Sequence, residues 1–348
     1  MRNVLIAPVN IASMADTTLV ELNKSKTIHA KGICYSTHKY CNYSPYWRRY
    51  NIDKQTNFFT KYATYVAYKL HCIYLILWAD VVIWYWHIDW LSSLLIRVFN
   101  KKIIVEFVGS DIRLPELVSL HNPYFKKAVQ SGEYNLTIES AANSDSIQNK
   151  FAKCNAIVLV NPEMQLFINP NIFPKYITFF QQLNLEKYNI RYPTIDTKKP
   201  VIVHAPSHLG CKGTKYVREC VQQLQLQNFE FSYVEIHNKT KQQSQEAIEQ
   251  CDIFIDQLIC GSYGLASCEA MAMGKPTLCY IMPIVAAAMP ASLPIVSVTV
   301  DNLYQTVARL LADAQERGRI GIKSREYIEQ YHDVKVLSKQ LINIINAS

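Results

Sequence analysis

The densest chemical signal in this 348-residue chain reads Ile253-Phe-Ile-Asp-Gln-Leu-Ile-Cys-Gly-Ser-Tyr-Gly-Leu-Ala-Ser-Cys-Glu-Ala-Met-Ala-Met-Gly-Lys-Pro276. An apolar strand runs into a glycine-bearing turn, and a short helix of Leu, Ala, Glu and Met follows, closed by Gly274 and Pro276. The backbone N–H groups of Ser262, Tyr263, Gly264 and Leu265, with the positive end of the helix dipole, suit an anion such as a phosphate. Glu269 comes one turn later. Its carboxylate either accepts the two hydroxyls of a ribose diol or is a solvated surface group.

A second segment, His204-Ala-Pro-Ser-His-Leu-Gly-Cys-Lys-Gly-Thr214, ends another apolar run. Lys212 lies between Gly210 and Gly213 just before a helix, a suitable place for an ammonium to neutralise phosphate oxygens, with Ser207 in the same loop. A plain surface lysine is the simpler reading. In the first half, Glu106-Phe-Val-Gly-Ser-Asp-Ile-Arg113 follows a strand and presents Gly109, Ser110, Asp111 and Arg113. Asp111 either acts near a reacting group or caps the next turn, and Arg113 is free for a ligand or paired with Asp111. His87 follows another strand and is either a ligand-facing side chain or one packed among Trp84, Tyr85, Trp86 and Trp90. Asn10 opens the loop after the first strand.

These residues need a scaffold of strands alternating with helices, the pattern of a mostly parallel sheet covered on both faces. Strands are predicted at 3–8, near 31–35, and at 80–85, 102–107 and 156–160, with a helix at 91–99. Residues 171–200 lose the pattern and gather Asn, Pro, Tyr, Lys and Thr, which marks a linker. A second alternation follows: strands at 201–204, 230–236, 253–257, 277–281 and 295–300, and helices at 214–226, 242–250, 265–273, 303–317, 323–331 and 334–345. Two doubly wound domains place ligands at the carboxyl ends of their strands.

The composition is 49% hydrophobic and 18% charged, which supplies a large core and excludes disorder as the main description. Of the net charge of +8, residues 1–180 hold 19 Lys+Arg against 12 Asp+Glu, and the remainder 17 against 16. No nucleic-acid recognition motif accompanies that basic half, so nucleic acid is not an expected partner. The aromatic and basic stretch Tyr40-Cys-Asn-Tyr-Ser-Pro-Tyr-Trp-Arg-Arg-Tyr50, with 58–69 after it, reads either as a surface for anionic lipid or as a helix burying its aromatics. The ten cysteines form no Cys-x-x-Cys pair and read as reduced, packed thiols of a cytoplasmic protein. The apolar run 4–9 is too short for a secretory signal. Two longer runs are read as buried strands and loops: 70–86 contains His71 and Asp80, and 277–300 contains Pro283, Pro290 and Pro294.

Together, Lys212-Gly213 and Glu269 resemble the retaining glycosyltransferases of family 4. The resemblance implies an α/β, GT-B fold of two facing Rossmann-like doubly wound domains with an interdomain cleft. It implies an acceptor-side domain at 1–178, joined by the closing helix 333–348, and a nucleotide-sugar-binding domain at 179–332. In that family a Lys-Gly pair contacts the donor diphosphate and the second glutamate of a Glu, seven residues, Glu motif binds the ribose. Lys212-Gly213 and Glu269 match those positions. Gly261 stands where the first glutamate belongs, Val108 replaces a histidine that often precedes the Gly-Ser-Asp segment, and Ser207 and His208 occupy a stretch that often carries arginine.

The implied activity is a hexosyltransferase-type reaction, retaining and metal-independent. It would move sugar from a UDP- or GDP-sugar to a glycan or lipid-linked acceptor in surface-polysaccharide or glycan synthesis. Lys212 and Asp111 are the catalytic candidates. Glu269, Gly213, Ser207, Ser262, Tyr263, Gly264 and Leu265 are expected to bind donor, and Gly109, Ser110, Arg113, His87 and Asn10 to line the acceptor side. No metal or other cofactor is expected, because no clustered His/Asp/Glu set is apparent. The protein is expected in the cytoplasm, with peripheral contact at the inner face of the membrane through the basic aromatic half. A non-catalytic subunit of the same fold, or a nucleotide-sugar epimerase, remains the alternative.

Overall fold

The apolar run that opens the chain becomes a fully buried strand, with Val4, Leu5, Ile6 and Ala7 at 0% exposure. Burial on both faces is what an all-parallel sheet demands, and it explains why this strand is continuous in apolar residues and does not alternate. The computed structural model describes residues 1–38, 41–134, 139–237 and 239–347. Tyr40, at the head of the aromatic and basic stretch, lies outside the described residues.

The chain divides into two compact units. The first comprises Met1–Leu114, Thr137–Gln182 and Val334–Ser348. Its strands are β1 (Arg2–Ala7), β2 (Ile28–Cys34), β3 (Trp47–Arg49), β4 (Val81–Tyr85), β5 (Lys102–Phe107), β6 (Ile157–Val160) and β7 (Ile177–Thr178). They form one sheet in the order β3-β2-β1-β4-β5-β6-β7, every pair parallel. The strand order reverses between β1 and β4, and their carboxyl ends form the place where such sheets bind ligands. The closing helix Val334–Asn346 belongs to this unit, where the Lys102 ammonium donates to the Ile344 carbonyl at 2.6 Å.

The second unit comprises Pro115–Leu136 and Leu183–Asp333. Its strands β8 (Val201–His204), β9 (Ser232–Glu235), β10 (Ile253–Ile255), β11 (Thr277–Cys279) and β12 (Val296–Ser297) form a parallel sheet in the order β12-β11-β10-β8-β9. Here the order reverses between β8 and β10. Ile202, Ile253, Ile255 and Leu278 are fully buried and pack with Val217 and Leu224 of the helix Thr214–Leu226. Segment 115–136, which the sequence reading leaves in the first half, belongs here through polar contacts. The Asn122 amide donates to the Ile259 carbonyl at 2.7 Å, and Lys215 pairs with Glu133 at 2.5 Å.

Two elements differ from expectation. Residues 70–78 are not strand or loop but the second half of a 21-residue helix, Phe58–Trp78. Asn57 caps it, accepting the Phe59 N–H, and the extended Ala79 ends it. The predicted break near 317–323 falls instead at Asp313, whose carboxylate caps the helix Ala314–Tyr331 by accepting the Glu316 N–H at 2.8 Å. All ten cysteines are free thiols, seven of them buried.

Candidate functional site

In the second unit the loop after β8 makes one helical turn, Leu209–Lys212. His208 caps it, its Nδ1 accepting the Cys211 N–H at 3.2 Å. Gly213 ends the turn with φ 71° and starts the helix Thr214–Leu226, a left-handed hinge that favours glycine. A Cβ at Gly213 would also lie 3.1 Å from Leu258 Cβ. The Lys212 carbonyl accepts the Leu258 N–H at 3.2 Å, which ties the loop to the chain leaving β10.

Lys212 is thereby aimed at Asp256, just past β10, and its Nζ lies 2.5 Å from Oδ1. The side chains are 12% and 1% exposed, so the ion pair is almost dry. Burial acts to lower the Lys212 pKa, but the charge on Asp256 and the hydrogen bond to it, with smaller contributions from Cys260 and Cys279, together hold the ammonium above its ordinary value. Burial likewise opposes ionisation of Asp256, and Lys212 reverses that, holding the carboxyl below the usual aspartate range. The other carboxylate oxygen accepts the Ser267 hydroxyl at 2.5 Å.

Ser267 belongs to the helix Leu265–Ala272, which no side chain caps at Gly264. A Cβ on Gly264 would lie 3.9 Å from both Asp256 Oδ2 and Lys212 Nζ, so the bare helix start rests against the ion pair. Lys212, Gly213, Gly264 and Leu265 are therefore brought together. Ser207 is exposed in the same loop. Ser262 is buried, its carbonyl accepting the Cys279 thiol at 3.3 Å and the Gln257 amide. Tyr263 turns inward, its hydroxyl 3.1 Å from His332 Nε2, which leaves its backbone for any ligand.

Glu269 is 8% exposed. Its Oε1 accepts the Tyr188 hydroxyl at 3.0 Å and pairs with Lys241 at 3.2 Å. Among the described residues no hydrogen bond reaches Oε2. Burial, then the charge on Glu269, raises the Tyr188 pKa, so Tyr188 remains a donor.

At Gly261 the packing excludes any side chain. The residue has φ 80°, and a Cβ would lie 2.4 Å from Met282 Cγ and 3.0 Å from Asn122 Nδ2. Met282 and Asn122 fill the space that a side chain at this position would need.

In the first unit a cavity of about 610 Å³ opens at the carboxyl ends of β1, β2 and β4, lined by Asn10, Ala12, Tyr35, His38, Tyr43 and Trp86 among others. Its walls are mainly apolar. Asn10 is buried and braces the loop: its amide donates to the Asn42 carbonyl at 2.7 Å and its Oδ1 accepts the Asp16 N–H at 3.1 Å. Ala12 and Trp86 have φ 49° and 71°, so two non-glycine residues hold left-handed backbone on one cavity wall. His87 is half-buried beside Trp86, with ring centroids 5.3 Å apart, and burial lowers its pKa.

The Gly109–Arg113 segment follows β5 and does not line that cavity. Asp111 takes the capping role of the two left open. Its Oδ1 accepts the Gly109 N–H at 2.8 Å and the Ile112 N–H at 3.2 Å, and its Oδ2 accepts the Val108 N–H at 3.2 Å. Ser110 lies half-buried in this turn. Arg113 forms ion pairs with Glu139 at 3.1 Å and Glu163 at 3.0 Å, and its charge also acts on Asp111.

Sequence reasoning missed Asp256, Tyr188, Lys241 and Glu106. For Asp256 a signal existed, an acidic residue directly at the end of a buried strand. Glu106 is buried on β5, accepting the Tyr85 hydroxyl at 2.7 Å and the Gln182 amide at 2.8 Å, and burial pushes its carboxyl up to about 7.

No protein-family model and no curated protein sequence matches the chain. Solved structures do. A sucrose-phosphate synthase from Thermosynechococcus elongatus superposes with a TM-score of 0.64 at 13% identity, over 98% of this chain and 97% of that one. Anabaena HepE, solved in complex with UDP and glucose, gives 0.62 at 10% identity over 99% of each chain. WaaG, a glycosyltransferase involved in lipopolysaccharide biosynthesis, gives 0.59 at 10% identity over 99% of this chain and 100% of its own. The chain has the GT-B fold. Within that GT-B chain, both candidate sites occupy the carboxyl ends of the strands where the sheet order reverses. Among the described residues no group of three or more His, Cys, Asp or Glu is placed to hold a metal ion.

Proposed function

We propose that this chain is a glycosyltransferase that moves a hexose from a UDP- or GDP-sugar to an acceptor hydroxyl. The observation that carries the proposal is the convergence of Lys212, the uncapped start of the Leu265–Ala272 helix, and Glu269 one turn later. The first two meet a diphosphate and the third a ribose diol, in the order a nucleoside diphosphate presents them.

As the bond from anomeric carbon to phosphate breaks, negative charge grows on the leaving diphosphate. Lys212 keeps N–H groups for it beyond the one that Asp256 accepts, and the helix N–H groups of Leu265 and its neighbours add a fixed positive potential. Asp256 keeps the lysine charged and oriented. Glu269, oriented by Tyr188, binds the nucleotide and takes no part in proton transfer. The reading extends to family 4, with retention at the anomeric carbon, a donor phosphate oxygen taking the acceptor proton, and no metal. On the acceptor side we assign Asn10 and His87, with Asp111 shaping the Gly109-Ser110 turn. A glycan or lipid-linked acceptor, and a role in surface-polysaccharide synthesis at the inner face of a membrane, complete it.

A non-catalytic subunit of the same fold is the second reading, favoured by the packing that closes Gly261 to any side chain. Thermal-shift measurements with UDP, GDP, ADP and their sugar conjugates on wild type and Glu269→Ala separate the two. A nucleotide at ~100 times its Kd stabilises the fold by about 2.7 kcal/mol. A shift in wild type that the variant loses supports the donor site. No shift with any nucleotide removes it and favours the subunit reading.

A further inference from the structure

The helix Phe58–Trp78 buries only one narrow face, made by Tyr68, Cys72, Leu75 and Ile76. Its opposite side carries Phe59, Tyr62, Val66, Leu70, Tyr74 and Leu77, spaced by three or four residues and therefore in one row. All six are exposed, Phe59 at 79% and Leu70 at 64%. The row runs roughly 27 Å along the helix. It contains no charged residue, and the only charges in the whole helix are Lys61 and Lys69. A solvent-facing helix surface is normally polar, and an uncovered apolar row of this length marks a docking surface.

The charge around it identifies the partner. Residues 24–79 hold nine Lys+Arg and one acidic residue, Asp53, so this stretch equals the net +8 of the entire chain. Tyr50 ties part of that charge to the helix: its hydroxyl lies 2.9 Å from His71 Nδ1, and the Arg48 guanidinium lies 5.7 Å from its ring centroid. Lys54 lies in the turn leading into the helix, and Arg48, Lys54 and Lys61 are exposed. Lys24 and Lys69 are paired, with Glu21 at 2.7 Å and Asp89 at 2.9 Å. Two copies of the chain meeting through this face would bring like charge against like charge. Among the described residues no helix is long and apolar enough to cross a membrane, so the row is suited to lying on a bilayer and not to spanning it.

We propose that this face docks the protein on an anionic phospholipid bilayer. The helix lies in the plane of the interface, Phe59, Val66, Leu70 and Leu77 enter the upper acyl region, the tyrosine hydroxyls stay at headgroup level, and Arg48, Lys54 and Lys61 meet the phosphates. The proposal deepens the glycosyltransferase reading, since a lipid-linked acceptor is then met at the surface where it resides.

Vesicle co-sedimentation of the full chain tests it, with vesicles of phosphatidylglycerol mixed into phosphatidylcholine and of phosphatidylcholine alone. Wild type is expected to bind the anionic vesicles about tenfold or more better than the neutral ones. Phe59→Ser/Tyr62→Ser/Leu70→Ser, which alters only exposed side chains, should lose that binding, and Lys54→Glu/Lys61→Glu should lower it about tenfold or more. The UDP thermal shift of both variants should equal that of wild type, so a failure of lipid binding is read separately from a failure of the donor site. Wild type that stays in the supernatant, or a serine variant that sediments as well as wild type, overturns the proposal. So does a concentration-dependent dimer that the serine variant abolishes, which would assign the face to a second copy.

Discussion

Lys212 is assigned to the donor diphosphate, yet it already has an anionic partner, and the two roles can be separated energetically. The pair with Asp256 is 2.5 Å long, with the carboxylate side chain 1% exposed. Lys212→Met would leave that carboxylate buried with only the Ser267 hydroxyl, a loss expected to cost about 3–5 kcal/mol. Asp256→Asn should cost less, roughly 1.5–3 kcal/mol, because the ammonium loses a charged hydrogen bond but retains a path to water. In the double variant neither charge is stranded, so a double-mutant cycle by urea unfolding should show a coupling of about 2 kcal/mol or more. A coupling below about 0.5 kcal/mol would mean that the pair behaves like an exposed one, and the reasoning from burial would be refuted. Nucleotide binding supplies the second axis. On the proposed reading, Asp256→Asn leaves Lys212 in place but removes the charge that holds it as an ammonium, so the UDP shift should shrink but persist, whereas Lys212→Met should lose it.

Two further predictions use other buried groups. Glu106 has a folded pKa of about 7 against an ordinary 4.5, so the folded state holds the proton more tightly than the unfolded chain. Stability from this group is therefore complete below about pH 4.5 and falls as pH rises through 7, by up to roughly 3 kcal/mol. Glu106→Gln should match wild type near pH 5 and exceed it near pH 8 in urea unfolding, and an equal effect at both pH values would count against the assignment. Gly261→Ala places a Cβ 2.4 Å from Met282 Cγ on backbone with φ 80°, so it should lower stability by about 1–3 kcal/mol. Adding Met282→Ala should recover part of the loss if the clash is the cause, and additive losses would show that it is not.

Most strands of both sheets are legible because parallel strands buried on two faces leave unbroken apolar runs, as 4–7 and 253–255 do. The helix Phe58–Trp78 was half hidden for the same reason. Its second half, Leu70–Trp78, is apolar on the buried side through Cys72, Leu75 and Ile76 and on the outer side through Leu70, Tyr74 and Leu77, so the helical period disappears into a continuous run. An exposed apolar helix face thus looks, in sequence, like a core element. The short strands β3 and β7 carry too few residues for any period to show.

At the candidate site, Lys212 and Glu269 could be singled out from the sequence because each follows a strand, Lys212 at the end of a helical turn and Glu269 one turn into a helix, so local geometry constrains where it points. Their partners could not. Asp256 reaches Lys212 across 44 positions and Tyr188 reaches Glu269 across 81, and nothing in either local pattern announces the pairing. Asp111 shows the opposite limit. Its carboxylate is consumed by amides within three residues, which is the ordinary fate of an aspartate in a Gly-Ser-Asp turn, so its type and spacing fit a cap as well as a catalytic group. The absence of a glutamate at Gly261 is plain in the sequence, but its meaning is not. Left-handed backbone pressed against Met282 and Asn122 makes the position a closed one, so substitution there changes packing before it can change chemistry. Asn122, fully buried, belongs to that packing, its amide donating to the Ile259 carbonyl and its Oδ1 accepting the Phe125 N–H.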